Sequence, residues 1–184
     1  MEIKKVKQTE WIAEATQYIQ GGLHKIAYVV VETPVAIVHR EYQVDSNTCK
    51  DLGYEVVESY NNAGTIVSNK GDILVGHFAE PNNGWYDRFI EYFLNWLKAK
   101  GLNAKFESND ITVDGYKVCG MCITRYGRID YTGGIISMNV NLDHIKAICK
   151  KPMVKVPKGL SEYGITTEEV EEMFLKFCED FDNK

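Results

Sequence analysis

The chain lacks an excess of positive charge. Its 21 lysines and arginines stand against 26 aspartates and glutamates, a formal net charge of −5. No basic field draws a nucleic-acid backbone, and no Lys/Arg cluster marks one. An apolar run of membrane-spanning length is also missing. The start, Met1-Glu2-Ile3-Lys4-Lys5-Val6-Lys7, is basic but has no apolar stretch of the kind a signal peptide carries. The cytoplasm is therefore the expected compartment, with no membrane and no nucleic acid as partners. There are no internal repeats and no low-complexity tracts, which excludes a repeat array.

Paired cysteines are lacking too. The five present, Cys49, Cys119, Cys122, Cys149 and Cys178, are odd in number and scattered, which argues for reduced thiols. Cys119 and Cys122 have C-x-x-C spacing. On an extended strand residues three apart point to opposite faces, and no second ligand pair stands at zinc spacing. A redox pair would sit at a helix N-terminus, which is not its setting here. The bland reading, buried strand cysteines, is preferred.

What is present is the composition of an ordinary globular domain of 184 residues, long enough to bury a real core. Thr9 can cap a helix to about Gln20, with Ile12, Ala15 and Ile19 on one face. Lys25–Val31 and Pro34–Val38 read as buried strands. Asp45–Leu52 reads as a short helix stopped by Gly53, and Tyr54–Val57 as a strand. Thr65–Ser68 and Asp72–Phe78, joined by Asn69-Lys70-Gly71, are expected to pair as an antiparallel hairpin. Tyr86–Lys100 is the clearest helix, with a stripe of Phe89, Ile90, Phe93 and Leu97 that reads as core. Ile129–Asn139 reads as a long strand in which Gly133-Gly134 should weaken pairing, make a bulge or admit a close approach. Asn141 can cap a helix from Leu142. Pro152–Pro157 reads as a loop. Thr166-x-x-Glu169 is a capping box for a final helix with Val170, Met173, Phe174, Phe177 and Phe181 inward. The expected fold class is α+β, a mostly antiparallel sheet with packed helices.

The segment most suggestive of chemistry is Ser108 to Gly120. Ile111 and Val113 alternate with Thr112 and Asp114, the period of a half-buried strand. Asp114-Gly115 is a strong hairpin signal, since a type I′ turn needs positive φ. The hairpin brings Asn109, Asp110 and Lys117 onto neighbouring strands, with Val118, Gly120, Cys122 and Thr124 expected on one face of the second. That cluster suits a carboxylate- or phosphate-handling site, and it also suits an ordinary exposed hairpin.

Asn109-Asp110-Ile111-x-Val113-Asp114-Gly115-x-Lys117-Val118-x-Gly120 resembles the signature shared by lipoate–protein ligases and biotin–protein ligases. Pro34–Val38 with Gln43, Asp51–Val57, and Gly133–Asn139 are similar to further family stretches in order and spacing. The resemblance reaches to about Ile148 and is closest to the lipoate–protein ligase A catalytic domain. It implies a class II biotin/lipoyl-synthetase-like fold and a single catalytic domain over 1–184, without the C-terminal accessory domain of many bacterial relatives.

The resemblance also implies chemistry. An acid attacks the α-phosphate of ATP, and a lysine of an acceptor domain then attacks the acyl-adenylate. Lys117 matches the family's catalytic lysine. Asn109 and Asp110 match residues near the adenylate, with Asp110 able to hold Mg²⁺. Gly120, Gly133 and Gly134 would let backbone approach the ligand. Ala63, Gly64 and Thr65 fall in the family's phosphate loop. The implied partners are lipoate or octanoate and a lipoyl acceptor domain of the E2 or glycine-cleavage H-protein type, with room for a separate accessory subunit. Two departures stand out. Ser59-Tyr60-Asn61-Asn62-Ala63-Gly64-Thr65 occupies the place of the family's Arg-Arg-x-x-Gly-Gly-Gly loop, keeping one glycine and neither arginine. Gly133 replaces the family's late histidine. The octanoyltransferase branches use a cysteine near the positions of Phe106 or Asp130, where this chain has none. A non-catalytic relative that binds an acyl group, an adenylate or a carrier domain, and a biotin–protein ligase, are the alternative readings.

Overall fold

The computed structural model describes residues 2–21, 24–39, 43–59 and 64–182. In chain order these form β1 (Glu2–Lys5), α1 (Trp11–Gly21), β2 (Lys25–Val30), β3 (Val35–Val38), α2 (Ser46–Asp51), β4 (Glu55–Glu58), β5 (Ile66–Ser68) and β6 (Ile73–Ala79). There follow α3 (Trp85–Ala99), β7 (Ala104–Glu107), β8 (Asp110–Val113), β9 (Tyr116–Tyr126), β10 (Ile129–Ile136), α4 (Leu142–Ile148) and α5 (Thr167–Asp182). Seven strands make one sheet in the order β1-β2-β6-β10-β9-β8-β7, antiparallel except for β1 with β2. Three more make a small sheet, β4-β3-β5. The α+β class with a mostly antiparallel sheet is what the structure shows.

Each face of the large sheet buries its own core, because successive strand residues point to opposite sides. One face carries Ile26, Ile73, Val75, Ile111, Val113 and Ile136 against the aromatic stripes of α3 and α5. Trp85, Phe89, Phe93, Phe174 and Phe177 pack there edge-on and stacked, and truncating one such ring to alanine typically costs about 3–5 kcal/mol. The other face carries Val29, Leu74, Phe78, Tyr131 and Ile135 against α1 and the small sheet. The helix ends follow local chemistry: Asp45 caps α2, Asn141 caps α4, and Thr166 and Glu169 exchange the two bonds of the capping box.

Several expectations change. Thr65–Ser68 and Asp72–Phe78 do not pair with each other. β5 joins the small sheet beside β3, and β6 joins the large one. The cause is a buried carboxylate at the crossing. Asp72 accepts from Ser68 Oγ and Asn69 N on one side and from Met138 N and Asn139 N on the other. Gly71, at φ 92°, makes the bend.

β10 ends at Ile136, and Gly133-Gly134 makes no bulge, its register with β6 and β9 being unbroken. The shift lies instead in the β8–β9 hairpin, where Ile111 faces Cys119 but Thr112 faces Lys117, leaving Val118 extra. Val118 therefore sits in the α3/α5 core with Cys119 and Met121 instead of sharing a face with Gly120 and Cys122. Asn109 is a turn residue and not the first residue of a strand. Ser108 and Asn109 both have positive φ, as do Asp114 and Gly115, so β7-β8-β9 is joined by two tight turns that fit type I′.

Candidate functional site

The bulge at Val118 builds the site. In a regular strand Lys117 and Gly120, three apart, would point to opposite faces. The extra residue turns Lys117 onto the face of Gly120 and of its partner Asp110. Lys117 Nζ then lies 2.7 Å from Asp110 Oδ1. Gly120 leaves the space for that pair: a Cβ there would meet Lys117 Nζ at 2.8 Å and Lys117 Cε at 2.9 Å.

A strap from the segment after α4 pins the lysine's backbone. Lys117 N donates to Val156 O and Lys117 O accepts from Lys158 N, each at 2.9 Å. The strap also brings Lys155, whose ammonium donates to Glu107 O at 2.6 Å and lies 3.6 Å from Asp110 Oδ2. Asp110 thus sits between two ammonium groups, with Glu107 Oε2 3.8 Å from the outer one. The two ammonium groups balance the two carboxylates, and Lys117 is the cation on the cavity side.

Beside Lys117 opens a cavity of about 140 Å³ between the two sheets. One end is polar, with Asp110, Lys117 and Gly120. The remainder is walled by Ile37 and Ile66 of the small sheet, Leu74 and Ile135 of the large sheet, and Trp11 and Tyr131. The Lys117 side chain is one-third exposed, and its ammonium has three donors and spends one on Asp110. The arrangement offers fixed cationic donors at the mouth of an apolar slot, which suits an acid with an apolar tail and can stabilise charge on carboxylate or phosphate oxygens.

Most residues expected from the sequence converge here. Gly64, Thr65, Asp110, Lys117, Gly120 and Gly134 all line the cavity. Asn109 points elsewhere, its side chain accepting from Tyr86 Oη at 2.9 Å and its carbonyl from Met121 N at 2.8 Å. Gly133 lies under the Tyr131 ring. Ala63 lies outside the described residues. Among the described residues no cluster of three His, Cys, Asp or Glu could hold a metal ion, and both oxygens of Asp110 already face lysines. A resident cation site is not what this donor set makes.

The thiols stay out of the chemistry. Burial pushes Cys119 up to about 12 and Cys122 up to about 11, and the two lie on opposite faces, as the alternation requires. Lys155, Trp11 and Tyr131 carry no local motif. The one sequence hint for Lys155 is its place between two valines in a Pro-bounded segment close to Lys158.

The lipoyl protein ligase A/B catalytic domain matches residues 8–177. The chain belongs to that family. Among solved structures, it is similar to a bi-partite lipoate protein ligase of an archaeal lipoylation system from Thermoplasma acidophilum, with a TM-score of 0.81 at 14% identity over 99% of this chain and 82% of that one. It is similar to a lipoate-protein ligase A bound with ATP, at a TM-score of 0.80 and 14% identity over 98% of this chain and 84% of that one. The biotin protein ligase of Aquifex aeolicus shares less of the fold, with a TM-score of 0.51 at 11% identity over 100% of this chain and 66% of that one. No curated protein matches. At these identities the neighbours establish the fold of this lipoyl ligase family member and leave its own chemistry to its residues. No helix among the described residues is long and apolar enough to cross a membrane.

Proposed function

We propose that this family member is an ATP-dependent lipoate– or octanoate–protein ligase. The observation that carries the reading is the Lys117 ammonium at the polar mouth of an apolar cavity between the sheets. The acid's tail lies along Ile37, Leu74 and Ile135, and its carboxylate faces Lys117. Attack of a carboxylate oxygen on the α-phosphorus of ATP forms the acyl-adenylate and expels pyrophosphate. An acceptor-domain lysine, as the free amine, then attacks the acyl carbon, forming an amide and releasing AMP and a proton.

Both transition states gather negative charge beside Lys117, so its catalytic contribution is electrostatic. On the family pattern we assign Gly120 and Gly134 to the nucleotide side of the site, where their missing side chains make room for Lys117 and Met121, and Gly64 and Thr65, just before β5, line the same cavity. Asp110 holds Lys117 in place. A Mg²⁺ would come with the triphosphate, whose oxygens and water would supply its ligands, since both Asp110 oxygens face lysines. We assign Ala63, Asn109 and Gly133 to the margin of the nucleotide site on the family pattern. Residues 1–184 are read as one catalytic domain. The acceptor is a lipoyl domain, and a separate accessory subunit is a further partner, in keeping with the bi-partite organisation named for the Thermoplasma acidophilum relative.

Incubation with ATP, Mg²⁺, lipoate and an acceptor domain tests the proposal, with biotin as competitor. It predicts a lipoyl mass increase on the acceptor and pyrophosphate release. Failure of both, with an accessory subunit supplied, removes the ligase reading. A second reading has its own observation: no arginine stands at positions 59–65, where the family places two, and of that stretch the described residues Ser59, Gly64 and Thr65 line the cavity. A non-catalytic relative would bind the acid or the carrier domain without releasing pyrophosphate, and calorimetry separates the two.

A further inference from the structure

The cavity floor is laid in cross-strand rows. Leu74, Ile135, Gly120 and Asp110 are successive register partners on β6, β10, β9 and β8. This row passes from apolar to charged. The next row on the same face is Ala27, Gly76, Gly133 and Cys122, which has almost no side-chain bulk. Left open, it would be a trough extending the slot away from Lys117.

Aromatic side chains fill that trough, Tyr131 and Trp11 together with Phe78, whose Cε2 would stand 3.2 Å from a Cβ on Gly76. Tyr131, one row further on, folds back over it. A Cβ on Gly133 would stand 2.1 Å from Tyr131 Oη, and one on Gly76 would stand 3.0 Å from Tyr131 Cε2 and 3.2 Å from Trp11 Cη2. Behind the two rings is a second cavity of about 30 Å³, bounded by Ile12, Ile19, Phe78 and Tyr126. Trp11 and Tyr131 line both cavities. They are the partition between a slot that holds Lys117 and an apolar space under α1.

We propose that Trp11 and Tyr131 set the upper chain length of the acid this protein accepts. The inference rests on the acid-binding part of the proposed function. From Gly120 to Leu74 the slot crosses two strand spacings, about 10 Å. A zigzag of bonds of about 1.5 Å spans that reach with roughly eight carbons. The trough beside that row is the room a longer chain would need, and Tyr131 and Trp11 now lie in it. Within the medium-chain acids of the proposed function, the two rings are specificity-determining residues. Removing one joins the slot to the space under α1.

The test is calorimetric binding of straight-chain acids from hexanoate to hexadecanoate, without ATP, to the wild type and to Tyr131→Ala and Trp11→Ala. Tyr131→Leu, which keeps an apolar side chain in the core, serves if either alanine variant unfolds. The wild type should bind octanoate best and lose at least tenfold in affinity at dodecanoate. The variants should shift the dodecanoate-to-octanoate affinity ratio at least tenfold toward the longer acid. An unchanged ratio in a folded variant overturns the inference, as does wild-type binding of hexadecanoate equal to octanoate. Octanoate binding without pyrophosphate release on adding ATP, Mg²⁺ and an accessory subunit overturns the ligase reading alone. Absence of binding of any acid overturns both.

Discussion

Lys117 and Asp110 meet at 2.7 Å because β9 carries one residue more than β8 needs. Without the extra Val118 the lysine would face the α3/α5 core and the carboxylate would face the slot alone. The ion pair therefore reports on the bulge, and the bulge puts a cation into the cavity. Lys117→Ala should lower the rate of pyrophosphate release by about 10²–10³-fold, the usual cost of one electrostatic donor at a reacting centre. Single-turnover kinetics would check this, and an acid Kd changed by less than the rate would place the effect in the transition state.

Gly120→Ala should act through Lys117 rather than through the fold. Gly120 is not among the positive-φ residues, so alanine fits the backbone. Its methyl would occupy the place of Lys117 Nζ and Cε, the far end of a flexible side chain. The expected outcome is at least a tenfold loss in kcat with stability changed by no more than about 1 kcal/mol, read by denaturant unfolding. A loss of stability without a loss of kcat would show that the lysine has another seat.

Lys155 stands behind the pair as a positioning residue. Its ammonium holds Glu107 O at 2.6 Å and approaches Asp110 Oδ2 at 3.6 Å. Lys155→Met should cost several-fold in kcat at nearly constant KM, because Asp110 is then free to bind Lys117 more fully and keep it from the substrate. Lys155→Arg should restore part of the loss. Equal activity in all three proteins would reduce the strap to packing.

His77 should make the fold acid-sensitive. It lies fully buried on Trp85, its two ring nitrogens have no hydrogen-bond partner, and burial pushes it down to about 3. Below its unfolded value near 6.5 the unfolded chain binds the proton and the folded one does not, so stability falls as pH drops from 6.5 toward 3. At pH 5 the cost is about 2 kcal/mol. Asp72 has the opposite sign: burial raises it to about 6, so its contribution grows as pH falls through that value. The His77→Phe variant should lose only the first effect. Its urea midpoint relative to wild type should rise by an amount that is larger at pH 5 than at pH 7.

Much of the chain was legible one segment at a time. The stripes of α3 and α5, the caps at Asn141 and Thr166, and the Asp114-Gly115 turn depend on neighbours within a few residues. The periods and turn residues that encode them are in the sequence. The signature from Asn109 to Gly120 marked Lys117, Asp110 and Gly120 for the same reason. The separation of β5 from β6 is not legible locally, because Asp72 draws its partners from both sides of the crossing, and Met138 and Asn139 lie 66 and 67 residues away. The second tight turn at Ser108-Asn109 lacks the glycine that usually signals one.

By itself the sequence determined the class of the fold, the family signature and the loss of two arginines from a loop. Which side of the sheet Lys117 faces was decided only in three dimensions, since a bulge is a property of two strands in register and not of either alone. The same holds for Lys155, Trp11 and Tyr131. They reach the site from a strap, a helix and a neighbouring strand, and only the closing of two sheets over one slot gives them a common target.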